Sequence, residues 1–475
     1  MNVGIRALEF YFPKNYVTQR ELEEYDGVSS GKYTAGLGLT EMAFCKDNED
    51  ICSIALSVTA ALLENYKIDP NTIGFLEVGT ETLIDKCKTV KSVVCSELLP
   101  GVRDIHGSES KCACFAGTQS IVNAVNWVRT NYALRKQNAI VICADIAVYA
   151  LGPARCTGGA GAIAFLIGPD APLVVEDELM GRCVNDVYDF YKPIGGSCSE
   201  YPAVDGHLSV KTYLNALDEC YANFQYWHEK ATHIKPKIKD YHAILFHAPF
   251  CRLVQKAMAR LVYVDVVGSH PVKQNGLTNG HCPTESTISQ KDQEALHAFS
   301  DMPLEDTYMD KEFNKTTIEV SQGLFDEKVA PNMEFNRRLG NMYTASLYAQ
   351  LINLIARSPA SEVTGKRILL YSYGGGCESG VFSMRFNLEK QCAKAEYEHM
   401  GEIANAALNR LDQRNERSPY VYSEAMNSRE DLVRAGAPYT PVHASNGLKV
   451  DLFPDTYYLA HIDEKFHRQY KRCSC

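Results

Sequence analysis

The sequence predicts an α/β protein in which a sheet is covered by helices on both faces. Short runs rich in valine, isoleucine and phenylalanine alternate with longer amphipathic segments, which is the pattern of βαβ units. The strand-like runs lack polar alternation, as expected where both faces of a sheet are buried. The layout is roughly twofold, with a first half to about residue 170 and a second half that carries the strands from Ala243 onward.

The individual elements follow from apolar periodicity. Strands are predicted, in order, at 3–10, 73–78, 139–146, 162–167, 243–246, 367–373 and 380–386. Helices are predicted from a 3.6-residue apolar stripe at 51–66, 118–130, 210–227, 251–262 and 342–355. The second half also contains a polar surface insertion near 273–326 and a charged helical excursion near 389–434.

Composition narrows the functional classes. The 475-residue chain has 48 Lys and Arg against 58 Asp and Glu, a net charge of −10, so it lacks the basic field of a nucleic-acid-binding protein. The 17 cysteines are scattered without zinc spacing, which predicts no metal site and a reducing, cytoplasmic location. No apolar run reaches the ~20 residues of a membrane span, and the N-terminus resembles a strand rather than a leader.

Two cysteines close the chain, at Cys473 and Cys475. Arg472 occupies the position at which a prenylation motif needs cysteine, so that modification is not predicted. An exposed tail is the favoured interpretation, and lipidation is the alternative.

Cys114 is the strongest candidate for a nucleophile. It lies in a turn of small residues directly before an apolar-periodic segment that contains Ile121, Val125 and Val128, which places it near a helix N-terminus. A helix N-terminus favours a thiolate over a thiol, and its N–H groups can hold an oxyanion. The alternative is a buried structural cysteine.

Three further groups follow predicted strands. Glu81 and His247 each end one strand, and the run Gly374–Gly376 follows another. Because ligands in α/β sheets bind outside the carboxyl ends of the strands, we expect these groups to converge with Cys114 on one cleft. Each has a structural alternative: a surface carboxylate, a core histidine and a tight turn, respectively.

Several segments carry a more specific signal, in order along nearly the whole chain. They are EVGTETLIDK at 77–86, ACFAGT at 113–118, ADIAVYA at 144–150, TGGAGA at 157–162, YDFYKP at 188–193, FHAPFC at 246–251 and GNMYT at 340–344. Together they resemble the hydroxymethylglutaryl-CoA synthase family, in its eukaryotic form.

The resemblance implies a thiolase-like fold, in which two similar βαβαβαββ halves form a layered α-β-α-β-α core, and a homodimer. The first half, 1–170, would carry Glu81 and Cys114, and the second, 171–475, would carry His247 and Asn341. The implied reaction condenses acetyl-CoA with acetoacetyl-CoA and water to give 3-hydroxy-3-methylglutaryl-CoA and CoA. Cys114 would carry the acetyl group, Glu81 would be the general base, and His247 would anchor the acetoacetyl group and act as the acid.

Further residues are implied to support the acyl groups. Asn341 would contact the acetoacetyl thioester, and the backbone of Gly375 would face an oxyanion. Thr157 lies at an acyl-group position, and Asp145 and Asp205 match acidic residues that support the site. No metal or further cofactor is implied, since both coenzyme A thioesters are substrates.

Coenzyme A carries phosphates, so this acidic chain needs a local cationic patch. Arg252 and Lys256 lie four residues apart on one predicted helix face. Ser30 and Lys32 match the family in the N-terminal segment. The alternative for each is a solvated basic face.

The sequence departs from the family pattern at five positions near the site. They are Phe115 for tyrosine, Cys112 for asparagine, Gly375 for serine, Pro153 for asparagine and Arg252 for lysine. These departures put the rate and coenzyme affinity in question, but the Cys–Glu–His set is complete.

Two other functions stay open from the sequence. Another thiolase-fold enzyme, such as a ketoacyl synthase, pairs its cysteine with different groups, and the context of Glu81 favours the synthase. The other is a catalytically silent acyl-CoA-binding paralogue. Under the synthase assignment, replacing Glu81 blocks condensation and spares acetylation of Cys114.

Overall fold

The structure is a computed structural model and describes residues 1–193, 200–268, 288–444 and 450–473. Its strands are β1 (Gly4–Tyr11), β2 (Asn15–Thr18), β3 (Glu41–Ala43), β4 (Ile73–Gly79), β5 (Glu109–Ser110), β6 (Asn138–Ala147), β7 (Gly159–Gly168), β8 (Leu173–Val184), β9 (Phe190–Tyr191), β10 (Ala203–Val204), β11 (Ala243–Phe246), β12 (Arg367–Gly374), β13 (Glu378–Phe386), β14 (Asn415–Glu416), β15 (Tyr457–Ile462) and β16 (Arg468–Arg472).

The helices connect and cover these strands. They are α1 (Gln19–Tyr25), α2 (Thr34–Leu37), α3 (Ile51–Asn65), α4 (Val90–Leu98), α5 (Ala116–Arg135), α6 (Gly206–Thr232), α7 (Cys251–Val267), α8 (Gln290–His297), α9 (Leu304–Thr307), α10 (Lys311–Lys328), α11 (Glu334–Leu339), α12 (Ser346–Arg357), α13 (Ala360–Val363), α14 (Gln391–Leu411) and α15 (Pro419–Arg434). Among the helices described, none combines the length and apolarity that crossing a bilayer requires.

The main sheet has two halves with the same internal order. Within the described residues it contains nine strands in the order β11-β12-β13-β8-β1-β7-β6-β4-β5. In the first half β4 is parallel to β6, and β6, β7 and β1 are antiparallel in turn. In the second half β11 is parallel to β12, and β12, β13 and β8 are antiparallel in turn. The halves meet where β1 pairs with the start of β8.

Alternating side chains place helices on both faces of each half. Val141 of β6 packs into the cluster that contains α5 and α12, whereas Ile142 faces the cluster of α3. In β12, Leu370 faces α5 and α12, whereas Leu369 faces the cluster of α6 and α7. The order of layers is therefore α3, first half-sheet, α5 with α12, second half-sheet, α6 with α7, which confirms the predicted fold.

The strands predicted from the sequence are all present, but β8 is missing from the prediction. Its middle carries Glu176, Asp177 and Glu178, a polar run that gives no strand signal. Pairing with β13 along most of its length determines its structure instead, because tertiary context overrides local strand propensity.

Two helical predictions need correction. The helix predicted at 342–355 begins at Ser346, because Tyr343 has a φ of 44° and a 3-10 turn occupies Tyr343–Ala345. The polar insertion is outside the described residues at 273–287, but its later part forms α8, α9 and α10. Leu296 and Phe313 of that part are buried, so it is packed helical structure. The helical excursion corresponds to α14 and α15.

Candidate active site

A cavity of about 620 Å³ is lined by residues from both halves of the chain. It brings together half of the candidate site residues that the sequence singled out. Those lining it are Cys114, Thr157, His247, Lys256, Asn341 and Gly375. Its remaining wall is largely aromatic and aliphatic, with Tyr149, Phe190, Tyr213, Phe250 and Tyr343 among its members.

Cys114 is held on a strained turn directly before α5. Ala113 has a φ of 46°, a left-handed conformation that costs a non-glycine residue free energy and often occurs at functional sites. The turn also packs against the end of β12. A Cβ at Gly374 would lie 2.3 Å from the Cys112 carbonyl oxygen and 2.9 Å from the Phe115 nitrogen, so only glycine permits this contact.

Glu81 lies behind the nucleophile and is hydrogen-bonded to it. The Cys114 thiol donates to Glu81 Oε1 at 3.2 Å. Burial, with the nearby Asp145 charge, raises the pKa of Glu81 to about 7, while Lys192 lowers it. A carboxylate with this pKa can both accept and return a proton at neutral pH.

The expectation that Cys114 is a thiolate is wrong for the resting site. Burial first, and then the adjacent Glu81 carboxylate, raise the pKa of the Cys114 thiol well above its usual value. The thiol therefore keeps its proton and donates a hydrogen bond to Glu81.

Asp145 fixes Glu81 and joins the two halves. Its buried carboxylate accepts hydrogen bonds from the Glu81 backbone N–H and the hydroxyls of Thr80 and Thr82. It also accepts from the backbone N–H and the hydroxyl of Thr344 in the second half. A side chain with these partners positions the base and does not face the cavity.

His247 follows β11 directly and is almost fully buried. Its backbone N–H donates to the Tyr371 carbonyl, and its own carbonyl accepts from the Tyr213 hydroxyl, both at 2.8 Å. Burial lowers the pKa of its imidazole to about 3. The ring is therefore neutral at pH 7, and it lines the cavity as a hydrogen-bonding group without a charge.

Asn341 and Thr157 form one corner of the cavity. The Asn341 backbone N–H donates to the Thr157 carbonyl at 3.1 Å. The Asn341 carboxamide accepts from the Tyr343 N–H at 3.0 Å and donates to the Tyr149 hydroxyl at 3.4 Å. The Thr157 hydroxyl donates to the Ala154 carbonyl at 2.7 Å. Both residues are thus held in place at this corner of the cavity.

Two aspartates lie side by side near the glycine loop, since the Asp205 backbone N–H donates to the Asp189 carbonyl at 2.9 Å. Asp189 is fully buried and accepts from the Tyr373 hydroxyl at 2.6 Å and the Gly376 N–H at 2.8 Å. Asp205 is exposed and caps α6 by accepting from the Leu208 N–H at 3.0 Å. The sequence signal for Asp189 was its place in the YDFYKP segment.

Position 375 requires glycine because Phe190 approaches its backbone closely. A Cβ at position 375 would lie 2.6 Å from the Cβ of Phe190. Any other residue would push β9 away from the loop. The departure from serine therefore has a local structural reason.

The predicted coenzyme patch is only partly at the cavity. Lys256 lines it, and burial followed by the charge of Arg252 lowers the pKa of the Lys256 ammonium. Arg252 is exposed and donates to the side chain of Gln255. Ser30 and Lys32 are also exposed, on the segment before Leu37, which does line the cavity.

The structure shows what surrounds three other residues that depart from the family pattern. Phe115 is fully buried beneath the Arg182 guanidinium, whose carbon lies 5.1 Å from the ring centroid. Burial and a hydrogen bond to Glu378 raise the pKa of the Cys112 thiol to about 12. Pro153 lines the cavity. No departure inserts a side chain between Cys114 and Glu81.

Lys192 is a site residue that residue-by-residue reasoning missed, although it lies in the same segment as Asp189. Its ammonium is 4.7 Å from the ring centroid of Tyr343. It acts electrostatically on Glu81, Cys114 and Asp145. Within the described residues, no group of three histidine, cysteine or acidic side chains is placed to hold a metal ion.

Comparison with known proteins identifies the family. The family model described as "Hydroxymethylglutaryl-coenzyme A synthase N terminal" matches residues 1–172. The model described as "Hydroxymethylglutaryl-coenzyme A synthase C terminal" matches residues 173–473. The chain belongs to the hydroxymethylglutaryl-CoA synthase family.

Relatives of this synthase family match almost the full chain. The mitochondrial hydroxymethylglutaryl-CoA synthase of Mus musculus is 41% identical over 99% of this chain and 89% of its own length. The Caenorhabditis elegans synthase is 41% identical over 99% of this chain and 94% of its own length. The cytoplasmic synthase of Mus musculus is 39% identical over 99% of this chain and 87% of its own length.

Solved structures of the synthase family share the fold. The structure of MvaS in complex with 3-hydroxy-3-methylglutaryl coenzyme A has a TM-score of 0.78 and 30% identity, and covers 99% of both chains. The resemblance inferred from the sequence motifs is thereby confirmed.

The C-terminal cysteines are not both at the surface. Cys473 is buried, which does not fit an exposed tail at that position. Cys475 lies outside the described residues.

Proposed function

We propose that this chain condenses acetyl-CoA with acetoacetyl-CoA and water to give 3-hydroxy-3-methylglutaryl-CoA and CoA. The family supports the reaction, and one contact carries the mechanism: the hydrogen bond from the Cys114 thiol to Glu81 Oε1 at the cavity floor. It joins a nucleophile to a base whose pKa is about 7.

In the first stage Glu81 takes the thiol proton as the Cys114 sulfur attacks the acetyl carbonyl. The backbone N–H of Gly375, on the cavity wall, is assigned to the developing oxyanion. Coenzyme A leaves as a thiolate and takes the proton back from Glu81. The acetyl group remains on Cys114, and Glu81 is again a carboxylate.

In the second stage Glu81 removes a proton from the acetyl methyl group. The resulting enolate carbon attacks the ketone carbon of acetoacetyl-CoA, which Asn341 and His247 orient. Because His247 is neutral at pH 7, its N–H donates a hydrogen bond to the ketone oxygen and does not supply a full proton. The new alkoxide takes the proton that Glu81 has just received. The family resemblance assigned the role of acid to His247, whereas in this proposal Glu81 has that role.

In the third stage water hydrolyses the thioester on Cys114. Glu81 accepts a proton from the attacking water and returns it to the leaving Cys114 sulfur. Every stage therefore begins and ends with the Glu81 carboxylate. No cofactor takes part beyond the two coenzyme A thioesters, whose phosphates we assign to Lys256 with Arg252 and Lys32 nearby.

We also propose a homodimer and a cytoplasmic role in isoprenoid and sterol synthesis through mevalonate. The short strand β5 forms one edge of the main sheet, where a second copy can extend it. The described cysteines are all free thiols, as is typical of a reducing compartment. Sedimentation of the purified protein tests the dimer. Cell fractionation distinguishes cytoplasmic from mitochondrial location, since relatives of both kinds match.

The deciding experiment is intact-protein mass after incubation with acetyl-CoA, for the wild type and Cys114→Ser, followed by addition of acetoacetyl-CoA. We expect an acetyl adduct on the wild type alone, and its discharge as 3-hydroxy-3-methylglutaryl-CoA. Bound coenzyme without adduct or product would favour a silent paralogue. An adduct discharged as a linear ketoacyl product would favour a ketoacyl synthase.

A further inference from the structure

The Lys192 ammonium has a defined position at the edge of the reactive cluster. Lys192 follows β9, whose Phe190 packs on Tyr343 with ring centroids 5.7 Å apart. The ammonium lies 4.7 Å from the Tyr343 ring centroid, a favourable cation–π distance. Tyr343 is fully buried, and its backbone N–H is fixed by Asn341. Tyr343 packs in one buried cluster with Cys114, so this rigid aromatic support holds the ammonium at the edge of the site.

The cluster beside this support has an excess of negative groups. Glu81 and Asp145 are both buried, and the Cys114 thiol points at Glu81. The other titratable groups close to Glu81 are the phenols of Tyr149 and Tyr343, whose pKa values burial raises, so both are neutral at pH 7. Among the charged groups that act on Glu81 within the described residues, Lys192 is the cation.

We propose that Lys192 is a positioning residue that holds Glu81 in its charged, proton-accepting form beside Cys114. The inference rests on the proposed function, because it matters for catalysis only if Glu81 accepts the thiol proton. The physical reason is that two buried carboxylates repel each other, and a nearby cation offsets that repulsion.

The sign of the effect follows directly. A cation stabilises the carboxylate, so removing it raises the pKa of Glu81 and leaves more of the unreactive acid at pH 7. We expect the rate of Cys114 acetylation in the wild type to rise with pH through a midpoint near 7. In Lys192→Met the midpoint should move up by about one pH unit, so the rate should fall about fivefold at pH 7 and recover near pH 9.

The variants separate charge from packing. Lys192→Met keeps much of the side-chain length without the charge, Lys192→Gln is a second neutral variant, and Lys192→Arg keeps the charge and should restore the wild-type midpoint. Lys230→Met is the matched control, because Lys230 also lies over an aromatic ring, 5.1 Å from that of Trp227 on the exposed end of α6. It should leave the midpoint unchanged.

A second measurement does not depend on turnover. Alkylation of Cys114 by iodoacetamide, followed by peptide mass as a function of pH, should be about fivefold slower in Lys192→Met at pH 7 and restored in Lys192→Arg. If the wild type forms no acetyl adduct, the proposed function fails, while alkylation still tests Lys192. An unchanged midpoint in both neutral variants, a loss equal at every pH, or the same shift in Lys230→Met would overturn the inference.

Discussion

The two halves of the molecule use the same scaffold for different chemistry. In the first half, β4 leads to Glu81 and the turn before the central helix α5 carries Cys114. In the second half, β11 leads to His247 and the turn before the central helix α12 carries Asn341. The equivalent positions therefore hold a thiol and a carboxyl group on one side and an imidazole and a carboxamide on the other.

Burial explains why this difference arises. It raises the pKa of Glu81 to about 7 and lowers the pKa of His247 to about 3, because it always disfavours the charged form. The carboxyl group thus reaches the range useful for proton transfer, whereas the imidazole leaves it. We infer that the first half performs every proton transfer and that the second half binds and polarises the acetoacetyl group.

The largest expected effect is that of Glu81→Gln. The amide cannot accept the Cys114 proton, so acetylation should fall together with condensation, each by about 10³-fold. This differs from the expectation from the sequence alone, in which acetylation is spared. Quenched-flow mass spectrometry of the acetyl adduct, with chromatography of the final product, measures both steps.

Glu77→Gln is the matched control for that variant. Glu77 is buried on the same strand, and its carboxylate accepts hydrogen bonds from Ser110 and Asn123 rather than from Cys114. It should change acetylation less than about threefold. A normal rate of acetylation in Glu81→Gln would show that another base serves Cys114. The inferred division of chemistry between the two halves would then be wrong.

The second largest effect is expected for His247→Ala. Acetylation should stay within about twofold of wild type, while condensation should fall about 10²-fold, because one donor to the ketone oxygen is lost. His247→Gln, which keeps an N–H donor, should recover part of the loss without adding a pH dependence. Equal losses in acetylation and condensation would show that the second half also takes part in the first stage.

Local pattern was enough to locate the candidate residues in the fold, because each follows a strand or precedes a helix. Cys114, Glu81 and His247 are identified by local pattern and position, and the structure brings Cys114 into contact with Glu81. The protonation states were beyond the sequence, since the Cys114 thiol responds to burial and to a carboxylate 33 residues away along the chain. Local helix geometry alone therefore gave the wrong charge.

Supporting residues were harder to assign from the sequence. Asp189 and Asp205 have similar local contexts, and only tertiary packing shows that Asp189 holds the glycine loop while Asp205 caps a helix. Lys192 lies within the YDFYKP segment, but the motif does not indicate its role, because that role depends on the Tyr343 ring from a distant part of the chain.

A third prediction compares two aspartates. Asp145→Asn places an amide donor against the donors of Glu81, Thr82 and Thr344. It should lower the free energy of unfolding by about 3 kcal/mol and disorder the base. Asp205→Asn should change it by less than about 0.5 kcal/mol, because asparagine caps helices as well as aspartate does. Urea unfolding of both variants measures the difference, and equal values would remove Asp145 as the link between the halves.

The smallest effect is expected at the seam between the glycine loop and β9. In Gly375→Ser, the new Cβ would lie 2.6 Å from the Cβ of Phe190, so the wall of the acyl cavity must move. Overpacking of this kind typically costs about 1–3 kcal/mol, and we expect kcat/KM to fall about tenfold with the pH midpoint of acetylation unchanged. Gly401→Ser, on α14 with open space at its Cβ, is the control for the substitution itself. Phe190→Gly should restore part of the activity of Gly375→Ser, because it removes both the Cβ and the ring that the new serine Cβ would meet. An additive loss in the double variant would show that the glycine loop and β9 are not coupled through this contact.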